Sequence, residues 1–275
     1  MLTPAVFPIY ISEKTRESTH YVLLGSCVFV KYANQFLLIS AAHVFRGLAG
    51  RNFYVAFGAR TVEFKSSFVL VSGEKAETSF DSRIKFDVGI MLLPDEIVGN
   101  LAQQRSFQAV TEKNIITHEE NPNGDYWMVG YPGSKNTKLA YGLKEGDHID
   151  TPELVVYEVK GYSGYKPFNG SIYDRQHNTA VKIETTILKV AETAPGEITI
   201  SQVRCPKLKG MSGGLLMKSL DTTEVPTMYP AGILIYDDPK KNAFVALKLE
   251  HVFQWLHNWL SEYLPSLKNE KMVEF

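Results

Sequence analysis

The stretch Lys209–Leu215, with the sequence KGMSGGL, holds the most informative pattern in the chain: one serine, Ser212, with glycines on both sides. Because glycine adopts backbone conformations that other residues avoid, the chain can turn sharply here and expose the serine hydroxyl. Such a turn also directs backbone N–H groups toward one point, where they can stabilise a developing oxyanion. The competing interpretation is a glycine-rich β-turn with an incidental serine. Since serine alone is a weak nucleophile, an enzyme would need a base and a carboxylate elsewhere in the chain.

A histidine and an aspartate at the ends of apolar runs are the best candidates for these two partners. His43 follows the run Leu37–Ala42 (LLISAA), whose two alanines leave room around an imidazole. Asp87 precedes the run Val88–Leu93 (VGIMLL), and a carboxylate that enters an apolar strand is costly unless it is paired. Five other histidines are interpreted as solvated loop residues or as residues of a terminal helix: His118, His148, His177, His251 and His257.

Composition excludes several classes of protein. With 29 Lys+Arg against 30 Asp+Glu, the chain lacks the basic excess of a nucleic-acid groove or a polybasic membrane patch. No stretch supplies the ~20 apolar residues that a membrane span requires. The two cysteines, Cys27 and Cys205, are fewer than a secreted protein of this size usually has, and the start, MLTPAVFP, does not resemble a signal peptide. We therefore expect a soluble, cytoplasmic protein with no nucleic-acid or membrane partner.

Short apolar runs separated by polar or Gly/Pro-containing segments predict an all-β fold, a sandwich or barrel. The pattern changes in Leu249–Leu264, where apolar residues recur with a 3.6-residue period and predict an amphipathic helix ended by Pro265. Pro94–Gln108 is expected to hold a short helix or turn between two halves, and Gly161–Asn178 a long surface loop. The predicted strands are Tyr21–Val30, Phe36–Ser40, Phe53–Phe57, Phe68–Ser72, Val88–Leu93, Tyr126–Val129, Leu154–Val159, Val181–Leu188, Ile198–Val203, Leu215–Met217, Ala231–Ile235 and Phe244–Leu247.

Three segments together resemble the signatures of the trypsin-like (chymotrypsin-fold) serine proteases: Ser40–His43 (SAAH), Phe86–Leu92 (FDVGIML) and Gly210–Gly214 (GMSGG). The candidate residues occur in that family's order, His, Asp and Ser, with separations of 44 and 125 residues. Tyr126–Pro132 (YWMVGYP) resembles the strand-then-turn segment of bacterial members, and Ala231–Tyr236 (AGILIY) resembles the strand that follows the nucleophile. The resemblance covers roughly residues 20–260 and is to bacterial intracellular members without disulfides.

What the resemblance implies is a pair of six-stranded antiparallel β-barrels with the site in the cleft between them. An N-terminal barrel over residues 1–110 would carry the His and Asp, and a C-terminal barrel over residues 111–248 would carry the Ser. Residues 249–264 would form the terminal helix, and all three parts would belong to one peptidase domain. By the same resemblance, Ser212 is the nucleophile, His43 the general base and acid, and Asp87 the orienting carboxylate. The backbone N–H groups of Gly210 and Ser212 would form the oxyanion hole.

The sequence departs from secreted family members at two informative positions. Val44 stands where a cysteine follows the histidine in those relatives, so Cys27 is expected to be a buried thiol. Met211 stands where zymogen-activated relatives have an aspartate that pairs with a newly cut N-terminus. We therefore expect a site that is either preformed or controlled by a partner.

The resemblance also assigns substrate-binding positions. Pro206, six residues before the nucleophile, is expected at the floor of the specificity pocket, in place of the aspartate of enzymes that cut after Arg or Lys. Asp237 is placed near the pocket wall, where it would restore a preference for a basic side chain, although a turn aspartate is the favoured interpretation. Substrate pairing, as an added strand, is expected at Leu234, Ile235 and Tyr236.

The function that follows is a serine endopeptidase acting through an acyl-enzyme on a protein or peptide substrate, with a sensor or effector protein as partner and no cofactor or metal. The resemblance extends to proteases of bacterial antiviral defence that lack signal peptides. Two alternatives stay open. A catalytically silent pseudoprotease would use the same fold as a protein-binding module. An α/β-hydrolase-type esterase would combine Ser212 with Asp237 and His251, but its elbow must open a helix, and only 63 residues follow the serine.

Overall fold

The chain is built mainly from antiparallel strands in two sheets, followed by a helix. The computed structural model describes residues 6–14, 19–48, 51–57, 60–64, 69–72, 87–93, 98, 108–115, 125–133, 154–166, 176–184, 186–194, 197–205, 207–219 and 227–267.

The first sheet contains seven strands in the spatial order β5-β4-β1-β2-β3-β7-β6. A short helix, α1 (Ala42–Arg46), follows β3 directly. The strands are β1 (Val6–Lys14), β2 (Thr19–Tyr32), β3 (Gln35–Ala41), β4 (Phe53–Phe57), β5 (Arg60–Phe64), β6 (Val69–Ser72) and β7 (Asp87–Leu92).

The second sheet contains eight strands in the order β10-β15-β14-β13-β8-β9-β11-β12. Because β10 also pairs with β9, six of these strands close into a barrel, and the β11–β12 hairpin extends from β9. The strands are β8 (Asp125–Gly130), β9 (Val155–Gly161), β10 (Asn178–Lys182), β11 (Thr186–Ala194), β12 (Glu197–Arg204), β13 (Leu215–Ser219), β14 (Met228–Asp238) and β15 (Ala243–Lys248). The chain continues from β15 into a terminal helix, α2 (Leu249–Leu267).

The predicted all-β architecture with two antiparallel units and a terminal helix is confirmed. The second unit closes as a six-stranded barrel, while the first has seven strands, with β5 and β6 at its two ends. The run Val181–Leu188, predicted as one strand, comprises the end of β10 and the beginning of β11. Pro94–Gln108 and the middle of Gly161–Asn178 lie largely outside the described residues.

Strand β1 lies in the interior of the first sheet, between β4 and β2, and was not predicted. Its proline, Pro8, argues against a central strand because proline has no N–H to donate. The register resolves the conflict: β1 pairs with β4 only over Ile9–Ile11, so Pro8 has a strand on one side alone. A second difference lies in α2, which continues to Leu267 although Pro265 was expected to end it. In the last turn, the missing proline N–H removes one hydrogen bond without unwinding the residues around it.

The two units share one hydrophobic core. The interior of the six-stranded barrel is filled by one face of its strands, including Leu216, Leu234 and Phe244. The opposite face, including Leu215 and Ile233, packs against the first sheet and the terminal helix in a single cluster. The functional candidates lie where the two units meet, on segments that leave these sheets.

Candidate active site

Strand register brings the predicted base and carboxylate together. β3 and β7 pair antiparallel up to the residues just before α1 and just after Asp87. The ring of Phe45 lies over Gly89, where any Cβ would overlap with it, so α1 packs directly on β7. This packing places His43 of α1 beside Asp87 at the start of β7.

Asp87 is a buried carboxylate that accepts hydrogen bonds from three donors on α1. The ring Nδ1 of His43 donates to Oδ2, and the backbone N–H of His43 donates to Oδ1 over 2.9 Å. Arg46 Nη2 donates to the same Oδ1 over 2.7 Å. The Asp87 side chain is 8% exposed and the His43 side chain 49%. Because Nδ1 is engaged with Asp87, Nε2 is the ring nitrogen left to accept a proton.

Two consecutive tight turns present Ser212. The first, Leu208–Met211, is closed by a hydrogen bond of 2.9 Å from its last N–H to its first carbonyl, and the second, Met211–Gly214, is closed in the same way over 2.8 Å. Gly210 and Gly213 occupy the third positions of these turns, with φ of +97° and +83°. A turn with positive φ at its third residue favours glycine there. The spacing of the two glycines therefore places Ser212 at the first corner of the second turn.

Every backbone carbonyl from residue 209 to 212 accepts a hydrogen bond, which fixes the peptide planes of this segment. The donors come from the second unit, from the turn itself and from β2 of the first sheet. They are Gly133 N–H to Lys209 O (2.6 Å), the Ser26 hydroxyl to Gly210 O (2.9 Å), Gly214 N–H to Met211 O (2.8 Å) and Ser26 N–H to Ser212 O (2.8 Å). Because a trans peptide directs its N–H opposite to its C=O, these bonds also set the direction of the N–H groups.

The N–H groups of Gly210 and Ser212 are the two donors that the hydrogen bonds of the serine turn do not use. Within the part of the chain that the structure describes, neither donates to a backbone carbonyl, whereas those of Met211, Gly213 and Gly214 all do. They are the same two groups to which the resemblance assigned the oxyanion hole. Two unbonded donors beside a serine hydroxyl suit a developing negative charge.

The serine turn and α1 both contact Gly25 of β2. A Cβ on Gly25 would lie 2.8 Å from Val44 Cγ2 and 2.9 Å from Ser212 O, so both segments approach the bare backbone there. Val44 directly follows His43, which places the histidine and the serine in neighbouring segments. Among the described residues, no hydrogen bond joins the Ser212 hydroxyl to the His43 ring. The structure thus brings His43 and Asp87 into contact and holds Ser212 nearby without the third bond.

The predicted substrate strand is only partly free. β13 does not pair with β14 beyond Ile233, and no other described strand pairs with that edge of β14. However, both backbone groups of Leu234 are bonded to the two glycines after Ser212, its carbonyl over 2.6 Å and its N–H over 2.8 Å. Leu234 therefore cannot also pair with a substrate backbone, because the serine turn already uses both groups. Of the predicted three, Ile235 and Tyr236 lie beyond the last residue of β14 that pairs with β13.

Asp237 lies close enough to Cys205 for its charge to act on the thiol. Burial, and then the charge of Asp237, raise the pKa of Cys205 to about 11. Burial, and then the charge of Asp238, raise the pKa of the Asp237 carboxyl. Asp237 therefore lies beside the segment that leads into the serine turn, where the sequence placed the specificity pocket. Pro206, the predicted pocket floor, is outside the described residues.

The α/β-hydrolase alternative is contradicted by the elements on either side of the serine. Ser212 is followed by strand β13, whereas the elbow of that fold must open a helix. Its proposed histidine, His251, donates from Nε2 to the carbonyl of Gln176 over 2.8 Å and belongs to the first turn of α2.

No family model and no curated protein matches the sequence. Among solved structures, the serine protease domain of the Sesbania mosaic virus polyprotein has 13% identity and a TM-score of 0.46, with 92% of each chain covered. A structure from work on the coupled folding and binding of the disordered Sesbania mosaic virus VPg protein has 13% identity and a TM-score of 0.48, covering 92% of this chain and 90% of that one. The apo MamO protease domain of Magnetospirillum magneticum has 10% identity and a TM-score of 0.42, covering 93% and 97%.

The closed six-stranded barrel, the second antiparallel unit and the terminal helix settle the fold class. The chain has the chymotrypsin-like fold. Within the described residues of this fold, no helix is long and apolar enough to cross a bilayer. Nor do those residues contain a group of three or more His, Cys, Asp or Glu side chains that could hold a metal ion.

Three residues around the site were not predicted. Arg46 binds Asp87 from one turn of α1 beyond His43, and a basic residue at that spacing was the only signal in the sequence. Ser26 and Ser40 are fully buried in otherwise apolar strands, and Ser40 donates to Ser26 O over 2.6 Å. A buried serine in a strand needs partners, but the sequence does not show which ones: Ser40 binds a carbonyl of the neighbouring strand β2, and Ser26 binds groups of the other unit.

Proposed function

We propose that the chain is a serine endopeptidase in which Ser212, His43 and Asp87 hydrolyse peptide bonds through an acyl-enzyme. The observation that carries the proposal is the His43–Asp87 pair next to a turn whose Gly210 and Ser212 N–H groups donate to no backbone carbonyl of the described residues. A base held by a carboxylate and two N–H donors beside a hydroxyl are the parts that acyl transfer requires.

The reaction follows from the placement of these groups. Ser212 Oγ attacks the carbonyl carbon of the substrate while His43 Nε2 takes the hydroxyl proton, and Asp87 stabilises the imidazolium at Nδ1. The carbonyl oxygen becomes an oxyanion that accepts from Gly210 and Ser212 N–H. His43 then gives the proton to the departing amine, and water hydrolyses the acyl-enzyme by the same steps. The Ser212–His43 bond has to form with substrate, since catalytic hydrogen bonds tighten in the Michaelis complex.

The open edge of β14 supports a protein or peptide substrate. Because β13 ends its pairing with β14 at Ile233, a substrate strand can be added beside β14 in the region predicted for it, beginning at Ile235. Asp237, next along the strand, would then favour a basic side chain in the pocket. A sensor or effector partner, a cytoplasmic location and a role in antiviral defence rest on no contact among the described residues and stay predictions.

A fluorophosphonate probe tests the proposal, because it reacts with an activated serine whatever the substrate is. Wild-type protein is expected to be labelled at one site, mapped by mass spectrometry to Ser212. The Ser212→Ala variant should fold, because the Ser212 hydroxyl makes no hydrogen bond to the part of the chain that the structure describes, and it should not be labelled. A labelled Ser212→Ala variant would remove Ser212 from the mechanism.

A pseudoprotease is the second candidate, and one observation favours it: within the described residues the Ser212 hydroxyl makes no bond to His43. A protein-binding module of this fold would not react with the probe at any concentration, although it would be fully folded. A folded, unlabelled wild-type protein therefore supports the binding module, or a latent enzyme that awaits a partner, and contradicts a peptidase whose site is active without one.

A further inference from the structure

Ser26 connects the first sheet to the serine turn through both its backbone and its side chain. It is fully buried in β2, its N–H donates to Ser212 O over 2.8 Å, and its hydroxyl donates to Gly210 O over 2.9 Å. Its own carbonyl accepts from the Ser40 hydroxyl over 2.6 Å, and its hydroxyl oxygen accepts from Tyr131 N–H over 3.0 Å. One residue of the first unit therefore holds two peptide groups of the serine turn, the one between Gly210 and Met211 and the one between Ser212 and Gly213.

We propose that Ser26 is a positioning residue for the oxyanion hole. Its hydroxyl fixes the peptide between Gly210 and Met211, and the bond from Gly133 fixes the peptide before Gly210; together they hold Gly210 in the conformation that directs its N–H toward the site. This inference rests on the proposed peptidase function. Ser26 does not touch the substrate, and it acts through Gly210.

The direction of the key hydrogen bond is unambiguous. A hydroxyl carries one proton, and the Tyr131 N–H can only donate. The Ser26 oxygen must therefore accept from Tyr131, and its single proton must go to the carbonyl of Gly210. No other acceptor competes for that proton in the described surroundings of Ser26.

Gly210 needs such a restraint because glycine rotates freely about φ and ψ. The peptide before it is fixed by the bond from Gly133 N–H to Lys209 O, and the peptide after it by the bond from Ser26. With both neighbouring peptides fixed, Gly210 is held at φ +97°. Without the Ser26 hydroxyl, the peptide between Gly210 and Met211 loses its only described side-chain anchor.

The identity of Met211 makes this anchor more important. Met211 is fully buried and apolar, so the residue before the nucleophile makes no ionic contact that would fix the turn. Its sulfur packs against Gly130, where a Cβ would lie 3.1 Å from Sδ. Packing alone excludes water from the turn but does not set the orientation of a peptide plane, whereas a directed hydrogen bond does.

Ser26→Ala tests the proposal. It leaves the Gly210 carbonyl and the Tyr131 N–H buried without a partner, and we expect the maximal rate of fluorophosphonate labelling to fall about 10-fold to 100-fold. The half-saturating probe concentration should not change, because probe binding does not use the oxyanion donors before reaction. Amide hydrogen exchange over residues 208–214 should become faster than in the wild type.

Two further variants make the result interpretable. Tyr165→Phe also removes one buried hydroxyl donor, to Asp238 Oδ2 over 3.0 Å, and should be labelled at the wild-type rate. Ser26→Cys keeps the shape of the side chain but donates weakly, so it tests the same bond if Ser26→Ala does not fold.

Unchanged labelling and unchanged exchange in the Ser26 variants would overturn the inference. If the wild type is not labelled but exchange over 208–214 still becomes faster in Ser26→Ala, the peptidase proposal fails while the role of Ser26 in holding the turn stands. Equal losses in Ser26→Ala and Tyr165→Phe would also overturn it, because a general loss of stability would then explain both.

Discussion

Asp87 shows how a single buried residue organises its surroundings. Its two oxygens accept from the ring and backbone of His43 and from Arg46, so one short helix supplies all three donors. Arg46 reaches the carboxylate from the solvent side, since its side chain is 36% exposed. Because Arg46 binds Oδ1, Oδ2 remains available to the imidazole. The bond from Arg46 therefore orients the carboxylate.

Arg46→Ala is expected to slow fluorophosphonate labelling roughly 5-fold to 10-fold. This lies at the lower end of the effect of losing a hydrogen bond to a charged group, because the arginine is partly exposed. Arg46→Lys keeps the charge and should recover part of the rate. The measurement is the labelling rate at saturating probe, with thermal unfolding of each variant as the control for folding. Labelling of Arg46→Ala at the wild-type rate would exclude a positioning role.

The sequence predicts His43, Asp87 and Ser212 because each stands at the end of an apolar run or in a glycine-rich turn. It does not predict Ser26, whose partners lie in another unit and depend on how β2 meets the serine turn. The same limit explains Leu234: alternation along a strand shows which side chains are buried, but not which backbone groups another segment already uses.

The proximity of Asp237 in strand β14 to the segment before the serine turn can be tested through the thiol of Cys205. Asp237 contributes to the raised pKa of Cys205, about 11, so Asp237→Asn should lower that pKa and increase the thiolate fraction at pH 9. Alkylation of Cys205 by iodoacetamide should then become faster, by less than about 10-fold, because burial is the larger cause of the shift. Cys27 is the internal control, since it is fully buried and should not react in the folded protein.

Ionisation of the Cys205 thiol makes the stability of the folded protein depend on pH. Its pKa in the folded protein, about 11, lies above the ordinary value of 9.0, so the folded state holds the proton more tightly. The stabilising contribution is complete below pH 9 and is lost as the pH rises to 11. In the alkylation experiment, an unchanged rate at Cys205 in Asp237→Asn would show that the Asp237 carboxylate and the Cys205 thiol are not neighbours.

Helix α2 packs against the first sheet. Phe253 is buried against the shared core, with its ring centroid 6.0 Å from that of Tyr32, and the Tyr32 hydroxyl bonds to His257 Nδ1 over 2.9 Å. The 3.6-residue period predicts this helix and its buried face, since both depend on local spacing alone. It does not predict that the partner is the β2–β3 hairpin, which is more than 200 residues away, at a separation of 225 from Tyr32 to His257.

Phe253→Ala is expected to lower the free energy of unfolding by about 3–5 kcal/mol, because it removes a buried aromatic ring and leaves a cavity. The matched control is Gln254→Ala, an exposed neighbour on the same helix, which should change it by less than about 0.5 kcal/mol. Both are measured by urea denaturation. A small effect of Phe253→Ala would mean that α2 is not part of the cooperative core.

Across the whole molecule, the shared core joins the two sheets into one structure. Strand β14 of the second unit contacts β3 of the first, and Ile233 and Ile39 belong to the same buried cluster. Neither Cys27 nor Cys205 forms a disulfide, so no disulfide links the units. The Ser26 bonds cross the same boundary, and formation of the serine turn therefore depends on both units being folded.

This coupling predicts one cooperative unfolding transition for both units. Ile233→Ala, at a fully buried position of β14, should lower the free energy of unfolding by about 2–5 kcal/mol. Hydrogen exchange should become faster in β3 of the first unit to the same extent as in β14, because both open in one global event. Lys182→Ala, at an exposed position of β10, is the control and should change neither the free energy of unfolding nor the exchange rates in β3 and β14. If exchange becomes faster only in the second unit, the units unfold separately, and the first sheet cannot supply a stable anchor for the serine turn.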